Sequence, residues 1–109
     1  MAGAEQFRVR PLANDFVRVY ESPDPNNIYT YSPGIVALPS GRLVATLDLS
    51  GPGIGNLSGP KQIIEHGQEW FGKVFVSDDQ GRTWTHKTDF PFMHARPFLA
   101  GRSLYVIGH

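Results

Sequence analysis

The 109-residue sequence contains no cysteine. Disulfides and thiolate zinc sites are therefore excluded, and redox chemistry gives no hint of compartment. An excess of charge of either sign is also lacking: Lys plus Arg total 10, Asp plus Glu total 10, and the formal net charge is zero. That balance argues against nucleic acid or an anionic membrane as a partner recognised through bulk charge. No apolar run approaches the ~18 residues of a membrane-spanning helix. The opening MAGAEQFRVRPLAND has no apolar stretch of the signal-peptide kind. Helical periodicity is scarce as well. Its one candidate, GPKQIIEHGQEWFG, carries Gly67 in its middle, at a cost of about 1 kcal/mol relative to Ala. This stretch reads as a loop with at most one helical turn.

What the chain does have is turns and aromatics. Its 12 Gly and 9 Pro, with 12% aromatic residues, suit short strands joined by tight turns. Alternating or β-branched runs predict strands at 16–22, 31–38, 42–49, 73–77, 83–90, 95–100 and 103–109. Between them lie turn clusters, among them PDPNN (23–27), PSG (39–41) and DDQGR (78–82). A long Gly- and Pro-rich loop covers 50–72. Two segments read as copies of one hairpin. GIVALPSGRLVATLD (34–48) and ARPFLAGRSLYVIGH (95–109) each hold an apolar strand, a turn ending in Gly-Arg, and a second apolar strand. Internal repetition of antiparallel units points to a radial, propeller-like architecture.

The segment SDDQGRTW (77–84) is the most specific motif. It places Ser77, Asp79, Gly81, Thr83 and Trp84 in the pattern Ser/Thr-x-Asp-x-Gly-x-Thr-Trp. The spacing makes physical sense at a hairpin corner. A carboxylate and a hydroxyl can hydrogen-bond the turn's own backbone, glycine can take a positive φ, and Trp84 can bury a large ring as the outgoing strand begins.

On these residues the chain resembles the Asp-box (bacterial neuraminidase repeat) β-propellers, the sialidases above all. YSPGIVALPSGRLVATLDL is similar to the first-blade hairpin of that family, including its Pro-x-Gly turn at Pro39 and Gly41. The resemblance covers residues 28–109. It implies an all-β fold, a propeller of about six blades when complete, in which the Asp box joins the third and fourth strands of a blade. Blade one would occupy 28–91, and 92–109 would be the first half of blade two. Residues 1–27 would be a lead-in whose strand at 16–22 closes the last blade. The chain would then hold about one and a half blades, an N-terminal fragment whose remaining propeller is missing, because raw sheet edges need partners. The family also implies a secreted or periplasmic location.

The resemblance puts the Asp box on the face away from the active site. Successive hairpin turns swap ends, so the second-to-third-strand loop and the connection between blades lie on the opposite face. That selects Asp48 at a strand end, Lys61, Glu65, His66 and Glu69 in the loop, and His94 with Arg96 in the connection. Tyr31 opens the first strand, and His109 takes in blade two the place of Asp48. In sialidases an acidic residue after the first-blade hairpin is the acid/base, which makes Asp48 the expected proton donor. His94 is the second expected catalytic group, since imidazole trades protons near neutrality. Tyr31, His66, Arg96 and His109 are expected to contact substrate, with Arg96 suited to a sugar carboxylate. Trp70 and Phe71 fit core packing better than a sugar platform. The histidine spacings match no compact metal motif, and no metal or cofactor is expected.

One position departs from the family. Sialidases open the first strand with Phe/Tyr-Arg-Ile-Pro, and aligning that proline on Pro33 puts Tyr31 where the carboxylate-binding Arg stands. The expected function is thus a sialidase-like glycoside hydrolase acting on a glycan or acidic sugar. The alternative is a non-catalytic Asp-box propeller that binds glycan or protein.

Overall fold

A computed structural model describes residues 8–10, 12–63 and 65–109. The chain is all-β, with two antiparallel sheets and two single 3-10 turns at Ile54–Asn56 and Glu65–Gly67. The larger sheet holds β1 (Tyr29–Ala37), β2 (Leu43–Ser50), β3 (Gln62–Ile63), β4 (Glu69–Ser77) and β5 (Thr85–Phe90). The smaller sheet pairs β6 (Arg96–Ala100) with β7 (Ser103–Ile107). Across the larger sheet the order is β1-β2-β4, with β3 and β5 sharing the far edge of β4.

Alternation along β2 fixes how the layers stack. Val44, Thr46 and Asp48 share one face, and all three are buried. Successive side chains point to opposite faces of a pleated strand, so Leu47 and Leu49 serve the other side. The Val44 face, with Val74 and Phe90, packs on Ala95 and the partly buried Val106 of the smaller sheet. The Leu49 face, with Phe71, gathers Ile28, Ile54, Leu57 and Tyr20. Two apolar clusters therefore sandwich one sheet, each removing side chains from water at roughly 25 cal/mol per Å² of apolar area.

Two local irregularities shape the end of the sheet where Tyr31 pairs with Asp48. β1 slips register between Tyr31 and Gly34. Ser32 there takes φ 50°, and Pro33 has no N–H to give the ladder, so the strand bulges. In the middle of the sheet, Gly72 lies opposite both Asp48 and Phe90. A Cβ at position 72 would fall 1.9 Å from the Phe90 ring, so that ring occupies space that only glycine leaves.

Observed strands lie close to the expected ones, with three differences, the first being the two-residue β3 within the expected 50–72 loop. β4 begins at Glu69, four residues ahead of the expected Lys73, because Trp70 and Phe71 join the ladder opposite β2 and β3. Residues 16–22 do not form the expected strand. A strand exists through its neighbours' hydrogen bonds, and among the described residues no strand is paired with this segment. Tyr20 instead sets its ring 5.8 Å from that of Phe75. The smaller sheet leaves Phe98, Tyr105 and Ile107 exposed, with the Phe98 and Tyr105 rings stacked at 5.4 Å.

Candidate functional site

The 77–84 corner joins β4 to β5, at the end of the sheet where Leu43 pairs with Ser77. Its bonding follows the sequence motif. Ser77 Oγ donates to Asp79 Oδ1 at 2.8 Å and accepts from the Gly81 N–H at 2.9 Å. Asp79 accepts from both the Thr83 N–H, at 2.8 Å, and the Thr83 hydroxyl. Trp84 Nε1 donates to the Gly81 carbonyl at 3.0 Å, and Gly81 supplies φ 86°. These donors, the Thr83 hydroxyl first and then its backbone N–H and Ser77, lower the Asp79 pKa to about 2. A bidentate Arg42–Asp78 pair at 2.7 and 2.8 Å ties the β1–β2 turn to the same corner. Ser77, Asp79, Gly81, Thr83 and Trp84 all serve the turn itself.

Asp48 sits at the other end of the sheet, in the row Tyr31–Asp48–Gly72–Phe90. It is 0% exposed. Its Oδ2 accepts the backbone N–H of His94 at 2.6 Å, a short bond that joins the larger sheet to the segment leading into the smaller one. Its Oδ1 is buried without a partner. The expected acid/base is therefore enclosed, and it grips backbone rather than opening on a cleft. His94 has φ 55°, a left-handed conformation that costs a non-glycine residue of order 1–3 kcal/mol and persists only when its surroundings hold it. The Asp48 bond is one such hold.

A second hold comes from β7. Beyond its last strand residue, His109 exchanges two backbone hydrogen bonds with Met93, at 2.9 and 3.0 Å. That pairing brings two exposed imidazoles together, with His94 Nδ1 2.8 Å from His109 Nε2. One ring nitrogen donates and the other accepts, so a neutral pair holds one proton between them, in an order set by tautomer.

An aromatic wall stands beside the pair. The Trp70 ring lies 5.9 Å from His94 and 4.9 Å from Tyr31, and Tyr31 meets Tyr29 edge-on at 6.4 Å. These rings border a cleft of about 470 Å³ between the 51–55 and 67–69 segments, which also involves Ser50 and Glu69. Trp70 is 9% exposed and its Nε1 has no partner. Arg96 Nη1 donates to the carbonyls of Ser32, at 3.2 Å, and Ala95, at 2.9 Å, so its guanidinium braces the β1 bulge.

The structure brings Tyr31, Asp48, His94, Arg96 and His109 to one end of the sheet. It does not bring His66 to them by any hydrogen bond; that residue sits exposed at φ 65° in the second 3-10 turn. Sequence reasoning ranks Trp70 as core and passes over Tyr29. The alternation in Tyr29-Thr30-Tyr31, which sends both rings to one face, is the available signal for the wall. Among the described residues no three His, Asp or Glu side chains converge as metal ligands would. In comparisons with known proteins the chain matches no family model, no curated protein and no solved structure.

Proposed function

We propose that this chain forms the first blade and the inner half of the second blade of an Asp-box, sialidase-like propeller that hydrolyses a glycosidic bond. The fold supports this reading in three ways. β1, β2, β4 and β5 follow one another across an antiparallel sheet, with the Asp-box corner between the last two. A repeated hairpin, β6–β7, stacks on the face of that sheet. The apolar outer face of β6–β7, bearing Phe98, Tyr105 and Ile107, suits a further blade.

The observation that carries the functional reading is the bond from the His94 N–H to Asp48. It holds an imidazole pair beside an aromatic cleft, at the end opposite the Asp box. In this reading the His94–His109 pair moves the proton and Asp48 positions it. With one proton added, the cationic pair passes it to the leaving glycosidic oxygen as the bond to the anomeric carbon breaks, and becomes neutral. Water then adds to that carbon and returns a proton to the pair. The family resemblance implies that the nucleophilic Tyr/Glu pair and two further Arg residues come from elsewhere in the protein.

The test is a panel of chromogenic glycosides and uronate-containing polysaccharides offered to the full-length protein. Turnover is expected with at least one of them, and His94→Ala should lower kcat by about a hundredfold, the scale of a lost general acid. No turnover by the wild type, or unchanged turnover by the variant, sinks the hydrolase. A second reading, a glycan-binding propeller without catalysis, is favoured by the enclosure of Asp48. It predicts binding by that same wild type with no product.

A further inference from the structure

We infer that the Tyr29–Tyr31–Trp70 cleft is a subsite for a neutral pyranose and discriminates against acidic sugars. The inference deepens the glycan reading for the same rim and rests on it for a place in turnover. Its claim about binding is measured separately.

The size of the cleft, about 470 Å³, lies within the roughly 300–1,000 Å³ typical of small-ligand sites. Its chemistry is uneven. Three aromatic rings form one side, and Tyr29 and Tyr31 each keep 40% of their surface exposed. A pyranose has a C–H face that packs on such rings and a rim of hydroxyls that needs polar partners. Glu69 also lines the cleft, and an ionised carboxylate only accepts, so it can accept hydrogen bonds from the two hydroxyls of a vicinal diol.

Charge decides between sugar classes. Among the described lining residues there is no Lys, Arg or His, and Glu69 is the acidic one. Three basic side chains in the same part of the chain donate to other partners. Arg96 donates to the Ser32 and Ala95 carbonyls. Lys61 donates to the Leu57 carbonyl, and Lys73 pairs with Asp89. A uronate or other carboxylate-bearing sugar would enter among lining residues that include no cation, with Glu69 repelling it. A carboxylate within several Å of another in a partly desolvated cleft loses about tenfold in affinity or more.

The experiment is titration calorimetry with saturation-transfer NMR on the full-length protein. The ligands are methyl glucoside, galactoside and mannoside, set against methyl glucuronide. At least one neutral glycoside is expected to bind, with the glucuronide about tenfold weaker. Tyr31→Ala, at a half-exposed position, should weaken the neutral ligand about tenfold. Glu69→Lys should reverse the preference towards the glucuronide. Equal or tighter binding of glucuronide by the wild type overturns the inference, as does binding of no neutral glycoside or indifference to Tyr31→Ala. Binding of a neutral sugar without any turnover upholds it while the hydrolase falls. Turnover confined to uronates upholds the hydrolase while the inference falls.

Discussion

Two carboxylates organise the two ends of the larger sheet, and they do it differently. Asp79 spends both oxygens within its own corner, on residues no more than four positions away. Asp48 spends one oxygen on a backbone N–H 46 residues away and keeps the other buried and unpaired. The first arrangement is local and saturated, which is what a turn requires. The second is long-range and joins the larger sheet to the segment that leads into the smaller one. A carboxylate that closes its own loop specifies the fold, whereas one that reaches across the molecule specifies where a site's backbone sits.

The comparison can be broken most severely at the row that Asp48 shares with Gly72. Gly72→Ala drives a methyl into the Phe90 ring and should cost about 3 kcal/mol, read as a fall in the urea midpoint. Retention of wild-type stability would mean that Phe90 does not fill that space. Asp48→Ala comes next. It removes the acceptor for the His94 N–H and should cost about 2 kcal/mol. Asp48→Asn, which keeps an acceptor oxygen, should recover most of that loss in the same melt. If Asn proves as harmful as Ala, the charge matters rather than the bond to His94.

The smallest effect belongs to the local corner and is best seen through pH. The Asp79 pKa lies at about 2, below its ordinary value of 3.8. Its contribution is therefore complete above that ordinary value and is lost as pH falls towards 2. In thermal melts taken between pH 5 and pH 2, Asp79→Asn should flatten the acid limb and leave the neutral region only slightly lowered. An acid limb that is identical in the variant would assign the loss to other carboxylates.

The same contrast explains what can be read from the sequence. The corner is legible because all five of its residues lie within 77–84 and each bond is local. The β1–β2 and β6–β7 hairpins are legible from alternation and from their Gly-Arg turns. The early start of β4 is hidden because Gly67 and the surrounding polar residues mask Trp70 and Phe71 as ladder members. Residues 16–22 alternate like a strand, but alternation describes a face and cannot supply a neighbour to pair with. At the other end of the sheet, chain reversal predicts that Asp48, His94 and His109 share a side. It cannot predict that Asp48 is enclosed or that it bonds the His94 N–H, since both depend on how the smaller sheet docks on the larger one.

Asp48 holds residue 94 by its main chain, and the imidazole plays no part in that grip. Position 94 is thus a socket whose fitting is independent of what is plugged into it. Asn and Gly, which tolerate a left-handed backbone, can replace the histidine while the two layers stay docked. A protein built this way can exchange the side chain on its rim without renegotiating the architecture beneath, so rim and scaffold can change separately.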